Sequence, residues 1–214
     1  NKIDTIKLTF DSKFNNLNLE ELIQTEILRQ IDKSINNAIG IFHEEILGGI
    51  DGYEKGILSG YDIKAKNDTL FADIKNKHNT MNSGSAENLY QKLERIAINH
   101  KESKCYWVQI LATNSFNENW VAKFNGRVYN HERVYKISGD QFYKLLTNKE
   151  DSFFKLYKSL PLAIEVFLNE MKDSDNISNT ANIEIHKSAI NNNRSILDEI
   201  TFENFSYYLG FNKL

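Results

Sequence analysis

The apolar residues of this chain change their period along its length. Between Asn18 and Leu47 they recur at helical spacing, as in Leu22, Ile31, Ile35, Ile39, Phe42 and Ile46. Asn18 is placed to cap that run, Glu20 and Glu21 fall in its first turn, and Gly48-Gly49 stops it. The pattern predicts one long helix, or two with a bend near Gly40. Residues 1–17, polar with a short apolar patch, predict an irregular arm or a marginal strand. After Gly60 the period falls to two, and Tyr61–Lys66 and Thr69–Lys75 read as a β-hairpin about Asn67-Asp68, residues that tolerate the positive φ of a two-residue turn. If Lys66 faces Thr69, then Lys64 faces Phe71 and Asp62 faces Asp73. Leu70, Ala72 and Ile74 then point into a core, with Asp73 and Lys75 on the other side.

Further elements follow in order. A helix is expected from about Ser85, with Leu89, Leu93, Ile96 and Ala97 on one face, and Cys105–Thr113 is a nearly continuous apolar run suited to a central strand. Trp120–Phe124 and Val134–Ile137 are shorter strand candidates. Gly139-Asp140 opens a helix, and another runs from about Asp151 until Pro161 breaks it or begins the next. Residues 172–182 predict an exposed loop, whereas FENFSYYLGF near the end is too aromatic to be left in water. Hairpin, helix and strand in that order give an α/β fold with a mixed central sheet flanked by helices and a helix-rich periphery.

Length and composition narrow this picture. With 214 residues, 41% of them hydrophobic, a single globular domain over 1–214 is expected. The chain opens with Asn rather than Met, so residues are expected upstream. No apolar run approaches the roughly 20 residues needed to cross a bilayer and no signal peptide is visible, so a cytoplasmic location is the expectation. Cys105 is the one cysteine; within an apolar run it predicts a buried, inert thiol. A formal net charge of −3 argues against a protein that holds nucleic acid by bulk charge. Local density is another matter, with Lys64, Lys66, Lys75 and Lys77 in the hairpin and Arg127 and Arg133 around His131.

The chemistry concentrates in the hairpin. Carboxylates facing each other across an antiparallel pair repel at about 4.5–5.5 Å between Cβ atoms, and a divalent cation relieves that repulsion. Mg²⁺ takes carboxylate oxygens and keeps open positions for water and phosphate. Asp62, Asp73 and Lys75 therefore suit phosphodiester hydrolysis, with Lys75 orienting or deprotonating the attacking water. The arrangement resembles the PD-(D/E)XK nuclease superfamily, with Asp62 as first acid and Asp73-Ile74-Lys75 as D-X-K. The tripeptide pattern also occurs at Asp11-Ser12-Lys13, Asp62-Ile63-Lys64 and Glu102-Ser103-Lys104. Of these, Asp62-Ile63-Lys64 competes, with Asp51 or Glu54 as its upstream acid, although both fall in a Gly-rich loop. On the preceding helix, apolar residues surround Glu44, which predicts a buried carboxylate that needs a partner. Nucleases of this superfamily often carry a glutamate there that reaches the metal or its water, so the resemblance implies that role for Glu44, with Glu45 close behind; a solvated pair at a helix edge is the alternative. The polar loop from Asn76 to Ser83 is placed to contact phosphates. Arg127, Asn130 and Arg133 have the side chains that read base edges, or form an ordinary charged connection.

The stretches KIDTIKLTFDSKFNNLNLEELIQTEILRQIDKSINNAIGIFHEEILGGIDGYE, GYDIKAKNDTLFADIKNKHNTMNSGSA and HERVYKISGDQFYKLLT are similar to the type II restriction endonucleases that cut the interrupted palindrome GGNCC. ADIKNKHNTMN is the most specific part, and the likeness extends to about residue 170. Members of the family often carry Glu where this chain has Asp73, which fits the superfamily pattern with a shorter reach. The resemblance implies a Mg²⁺-dependent endonuclease acting on double-stranded DNA as a homodimer, with a methyltransferase protecting the same site. By analogy Asp62 and Asp73 hold the metal, Lys75 helps activate water, and Lys77, His78 and Asn79 lie near DNA. A repair or junction-resolving nuclease on the same core, or a DNA-binding module without activity, are the competing readings.

Overall fold

In the computed structural model, which describes residues 4–56, 60–79, 81–171 and 187–205, the chain begins with a helix where an arm or marginal strand is expected. At the start of α1 (Thr5–Phe14) the Asp4 side chain accepts the Lys7 N–H at 2.9 Å, and Lys7 pairs with Asp11 one turn on. Cap and ion pair together favour a helix that the apolar pattern does not announce. Helix α2 (Leu19–Gly48) is a single element. Asn18 accepts the Glu21 N–H at 3.0 Å and Glu21 returns to the Asn18 N–H at 2.9 Å, a reciprocal cap. Gly40 introduces no break. The expectation that apolar residues enclose the last turns of α2 on every side is not met: His43 and Leu47 are buried, but Ile35 and Ile41 are more than half exposed.

Eight strands follow: β1 (Tyr53–Lys55), β2 (Ile63–Ala65), β3 (Leu70–Lys77), β4 (Lys104–Leu111), β5 (Asn117–Asn119), β6 (Ala122–Phe124), β7 (Arg127–Tyr129) and β8 (Val134–Ser138). Six of them form one mixed sheet in the order β1-β2-β3-β4-β8-β5, with β3, β4 and β8 parallel and the outer pairings antiparallel. β6 and β7 make a separate ribbon that turns at Asn125-Gly126, both at positive φ. The three-residue strands β1, β5 and β7 escape the sequence pattern, and Trp120 lies outside β6.

Helix α3 (Ser83–Asn99) covers one face of the sheet. Its Leu89, Tyr90, Leu93 and Ala97 pack with Phe71, Cys105 and Val134, and with Trp120 and Tyr129 from around the ribbon. The opposite face, Ile63, Ala72, Ile74, Tyr106 and Val108, packs on Leu47 of α2 and on Phe142, Tyr143 and Leu146 of α4 (Gly139–Thr147). Gly139 makes that approach possible, since a Cβ there would lie 2.6 Å from the Ile110 carbonyl oxygen. Helix α5 (Ser152–Met171) runs through Pro161 instead of breaking. The carbonyl that the proline leaves without a donor belongs to Tyr157, an exposed residue, where water can replace the lost bond.

The contacts separate two units, Asn1–Lys33 with Glu165–Leu214 and Ser34–Ile164. In the first, α1 packs on α6 (Ile196–Phe205), with Leu8, Leu22 and Ile200 buried. The second contains the whole sheet. Cys105 is fully buried and burial pushes its thiol up to about 11, an inert thiol as expected. The loop expected at 172–182 and the end of the aromatic tail lie outside the described residues. Among those described, no helix is long and apolar enough to cross a membrane.

Candidate active site

The hairpin that carries the acids keeps the expected register, with Lys64 opposite Phe71 and Ile63 opposite Ala72. Its turn is longer than the two residues anticipated. Asp68 N–H closes on the Ala65 carbonyl at 2.9 Å, Asp68 alone of the Asn67-Asp68 pair takes positive φ, and Asn67 Oδ1 accepts from the Thr69 hydroxyl at 2.7 Å. At the other end the ladder stops one residue short of Asp62. There the Asp62 carboxylate takes the Ile74 N–H at 2.6 Å, while the Asp62 N–H donates to the Ala72 carbonyl at 2.8 Å. This side chain is thereby pinned to the backbone of β3 beside Asp73.

The electrostatics follow from that placement. Burial, and next the charge of Asp73, push the Asp62 carboxyl above the ordinary carboxylate range, opposed by the Ile74 N–H, Lys75 and Lys92. Asp73 is buried, and a buried carboxylate has to be paired. Lys75 donates to its Oδ1 and Lys92, from α3, to its Oδ2 at 2.5 Å. Lys92 is absent from the sequence reading. Its one signal there is a cation on the apolar side of α3, between Leu89 and Ile96. In the parallel register Trp107 lies beside Asp73 and Gln109 beside Lys75. Gln109 is buried, and the indole N–H of Trp107 is buried without a hydrogen-bond partner.

Glu44 and Glu45 separate clearly. Glu45 is exposed and bonds Lys55 at 2.5 Å. Glu44 is half-buried, 3.7 Å from the same ammonium, and its carboxyl is pushed up by burial and then by the charge of Asp62. Of the two glutamates, Glu44 is the one that feels the charge of Asp62. The residue before it, His43, is buried against the Tyr143 hydroxyl at 2.8 Å, and burial lowers its imidazole to about 4. That contact anchors the end of α2.

The remaining candidates divide between the two ends of the strands. Lys77, His78 and Asn79 are exposed where β3 ends, just beyond Lys75, and His78 N–H donates to the Leu111 carbonyl at 3.1 Å at the end of β4. Arg133 lies at the opposite end, where β4 and β8 begin, and donates to the carbonyls of His100 at 2.9 Å and Ser103 at 3.3 Å. Its guanidinium helps close that end of the sheet. Arg127 is exposed on the ribbon, stacked over Tyr129 at 4.9 Å, and Asn130 is exposed at the ribbon's foot. Glu87 of α3 ties the ribbon down, accepting from Tyr129 Oη at 2.6 Å and Asn125 Nδ2 at 2.8 Å.

The rival tripeptide has a different setting. Glu54, expected in a loop, lies on β1 opposite Lys64, and Lys64 bonds it at 3.2 Å and Asp68 at 2.7 Å. Both carboxylates are close to half exposed, so solvent already satisfies this cluster. Among the described residues no group of three or more His, Cys, Asp or Glu converges on one point. Asp62 and Asp73 are two carboxylates with like charge held together and partly compensated by lysines. Such a donor set fits a cation that fills its other positions with water and phosphate, as Mg²⁺ does.

One known relative matches this chain over nearly its full length and another over most of it. The type II restriction enzyme Sau96I of Staphylococcus aureus is 36% identical over 223 residues, covering 99% of this chain and 85% of that protein. The type II restriction enzyme Eco47II of Escherichia coli is 30% identical over 161 residues, covering 71% of this chain and 67% of its own length. The profile of the Eco47II restriction endonuclease family matches residues 1–169, and the chain belongs to that family of type II restriction endonucleases.

Proposed function

We propose that the chain hydrolyses double-stranded DNA at GGNCC, with Mg²⁺ at a PD-(D/E)XK centre on β2 and β3. The observation that carries this reading is the buried Asp73 flanked by Asp62 and Lys75. Asp62 and Asp73 would hold the ion, which when bound supplies charge neutralisation and an acidified water. Lys75 would orient the attacking water from its position beside Asp73. Glu44, whose carboxyl is raised by burial and then by the charge of Asp62, would support the same acid pair. Lys77, His78 and Asn79 meet backbone phosphates at the strand ends and set the register of the duplex. The β6–β7 ribbon presents Arg127 on an element narrow enough for the major groove, with Asn130 at its foot.

A palindromic site calls for two copies related by a two-fold axis, each cutting one strand. We therefore assign a homodimer, and a methyltransferase modifying the same sequence as its cellular counterpart. Digestion of a mapped plasmid with and without Mg²⁺ tests the reading. Discrete fragments whose ends map to GGNCC support it; metal-independent nicking, or ends at unrelated or branched sites, would exclude it.

A further inference from the structure

Lys92 has no role in the reading above, and its position is unusual for a lysine. It lies on the side of α3 that faces the sheet, one turn from the buried Leu89 and beside the buried Leu93. A cation at a core-facing position breaks the helix's own pattern, and such breaks concentrate at functional sites. Its stem packs near Gly60, where an added Cβ would lie 3.4 Å from Lys92 Cε, and its ammonium meets Asp73 Oδ2 at 2.5 Å. Lys75 already donates to the other oxygen of that carboxylate, so both oxygens of Asp73 are taken by ammonium groups.

We propose that Lys92 is a resident counter-cation that occupies one carboxylate oxygen of Asp73 and competes with the divalent ion for that carboxylate. This rests on the assignment of Asp62 and Asp73 as the metal carboxylates. Lys75 and Lys92 differ in how they reach the site. Lys75 is carried by the same strand as Asp73, two residues on, whereas Lys92 reaches across from α3 on a flexible stem; both side chains are about one-third exposed. An ammonium and a divalent cation on one carboxylate repel, and Lys92, carried by α3 and not by the strand of Asp73, is the one displaced. Without metal it neutralises a buried charge and keeps the two aspartates side by side; with metal it is displaced. Lys92 is thus a positioning residue that sets the metal affinity of the site.

The test is calcium binding by titration calorimetry without DNA, together with melting temperature in EDTA, for the wild type, Lys92→Met and Asp73→Asn. Lys92→Met keeps the stem and removes the charge. Its expected behaviour is calcium binding at least about fivefold tighter than wild type, with a lower melting point in EDTA that calcium restores. A merely structural role predicts the reverse for affinity, since loss of support loosens the site. Binding that is unchanged or weaker in Lys92→Met, while the wild type still binds through Asp73, overturns the inference alone. Wild type that binds calcium no better than Asp73→Asn overturns the metal assignment, and the inference with it. If Lys92→Met fails to fold, Lys92→Gln undergoes the same titration, with tighter binding expected and unchanged binding counting against the proposal.

Discussion

Two D-X-K tripeptides, Asp62-Ile63-Lys64 and Asp73-Ile74-Lys75, lie on neighbouring strands of one hairpin, and they behave differently. Lys75 sits against a buried aspartate on a strand with partners on both sides, beneath α3. Lys64 sits near the sheet edge between Glu54 and Asp68, two carboxylates open to water. The residue types match; burial and neighbours differ. An ion pair in water contributes little and is screened by salt, whereas like charges held in a partly dry site create a demand that a divalent cation answers. Asp62 belongs to both tripeptides, and its carboxylate turns toward β3 because the Ile74 N–H holds it there.

The largest effect that would break this comparison is on the buried side. Asp73→Asn and Lys75→Ala are each predicted to lower cleavage by about 10²–10⁴-fold, with DNA binding in calcium retained, as measured by single-turnover digestion and gel shift. Next comes Glu44→Gln, at a carboxyl raised by burial and then by the charge of Asp62; a loss of about tenfold is expected, against no loss for Glu45→Gln. Asp62→Asn sharpens the comparison through stability. Because the folded carboxyl is raised, the fold gains from its protonation at low pH and loses that gain as pH rises through the raised value. A neutral amide keeps the gain, so metal-free Asp62→Asn should melt about 2–4 °C above wild type at pH 7.5 for each ~1 kcal/mol relieved. That difference should narrow toward pH 4, and a variant that melts below wild type at pH 7.5 would contradict the cause given for the shift. The smallest effect belongs to the exposed cluster, where Lys64→Ala should leave cleavage within about twofold.

The same contrast explains what the sequence made legible. The hairpin register, the reciprocal cap on α2, the apolar face of α3 and the central strand β4 are local, periodic signals. They bring Asp62 next to the strand of Asp73 and Lys75, although the ladder stops one residue short of the expected Asp62–Asp73 pair. Strands β1, β5 and β7 have three residues each, too few to show a period, so Glu54 was expected in a loop. Helix α1 is set by a cap and an ion pair and not by an apolar stripe. Arg133 has the chemistry of a base reader, yet its carbonyl partners come from 30 and 33 residues away. Lys92 stands 19 residues from Asp73, and the contact appears only once α3 has folded back over β3. Pairings of that kind depend on tertiary packing and leave no local pattern.

We propose that Asp73-Ile74-Lys75, and not its neighbour, is the catalytic tripeptide of this restriction endonuclease. Cleavage of one plasmid by Lys75→Ala and Lys64→Ala, side by side in Mg²⁺ at equal concentration, tests it most directly. The account predicts that Lys64→Ala produces the wild-type fragments at close to the wild-type rate while Lys75→Ala leaves the plasmid intact over the same time. An active Lys75→Ala beside an inactive, folded Lys64→Ala would move the chemistry one strand over and contradict the account.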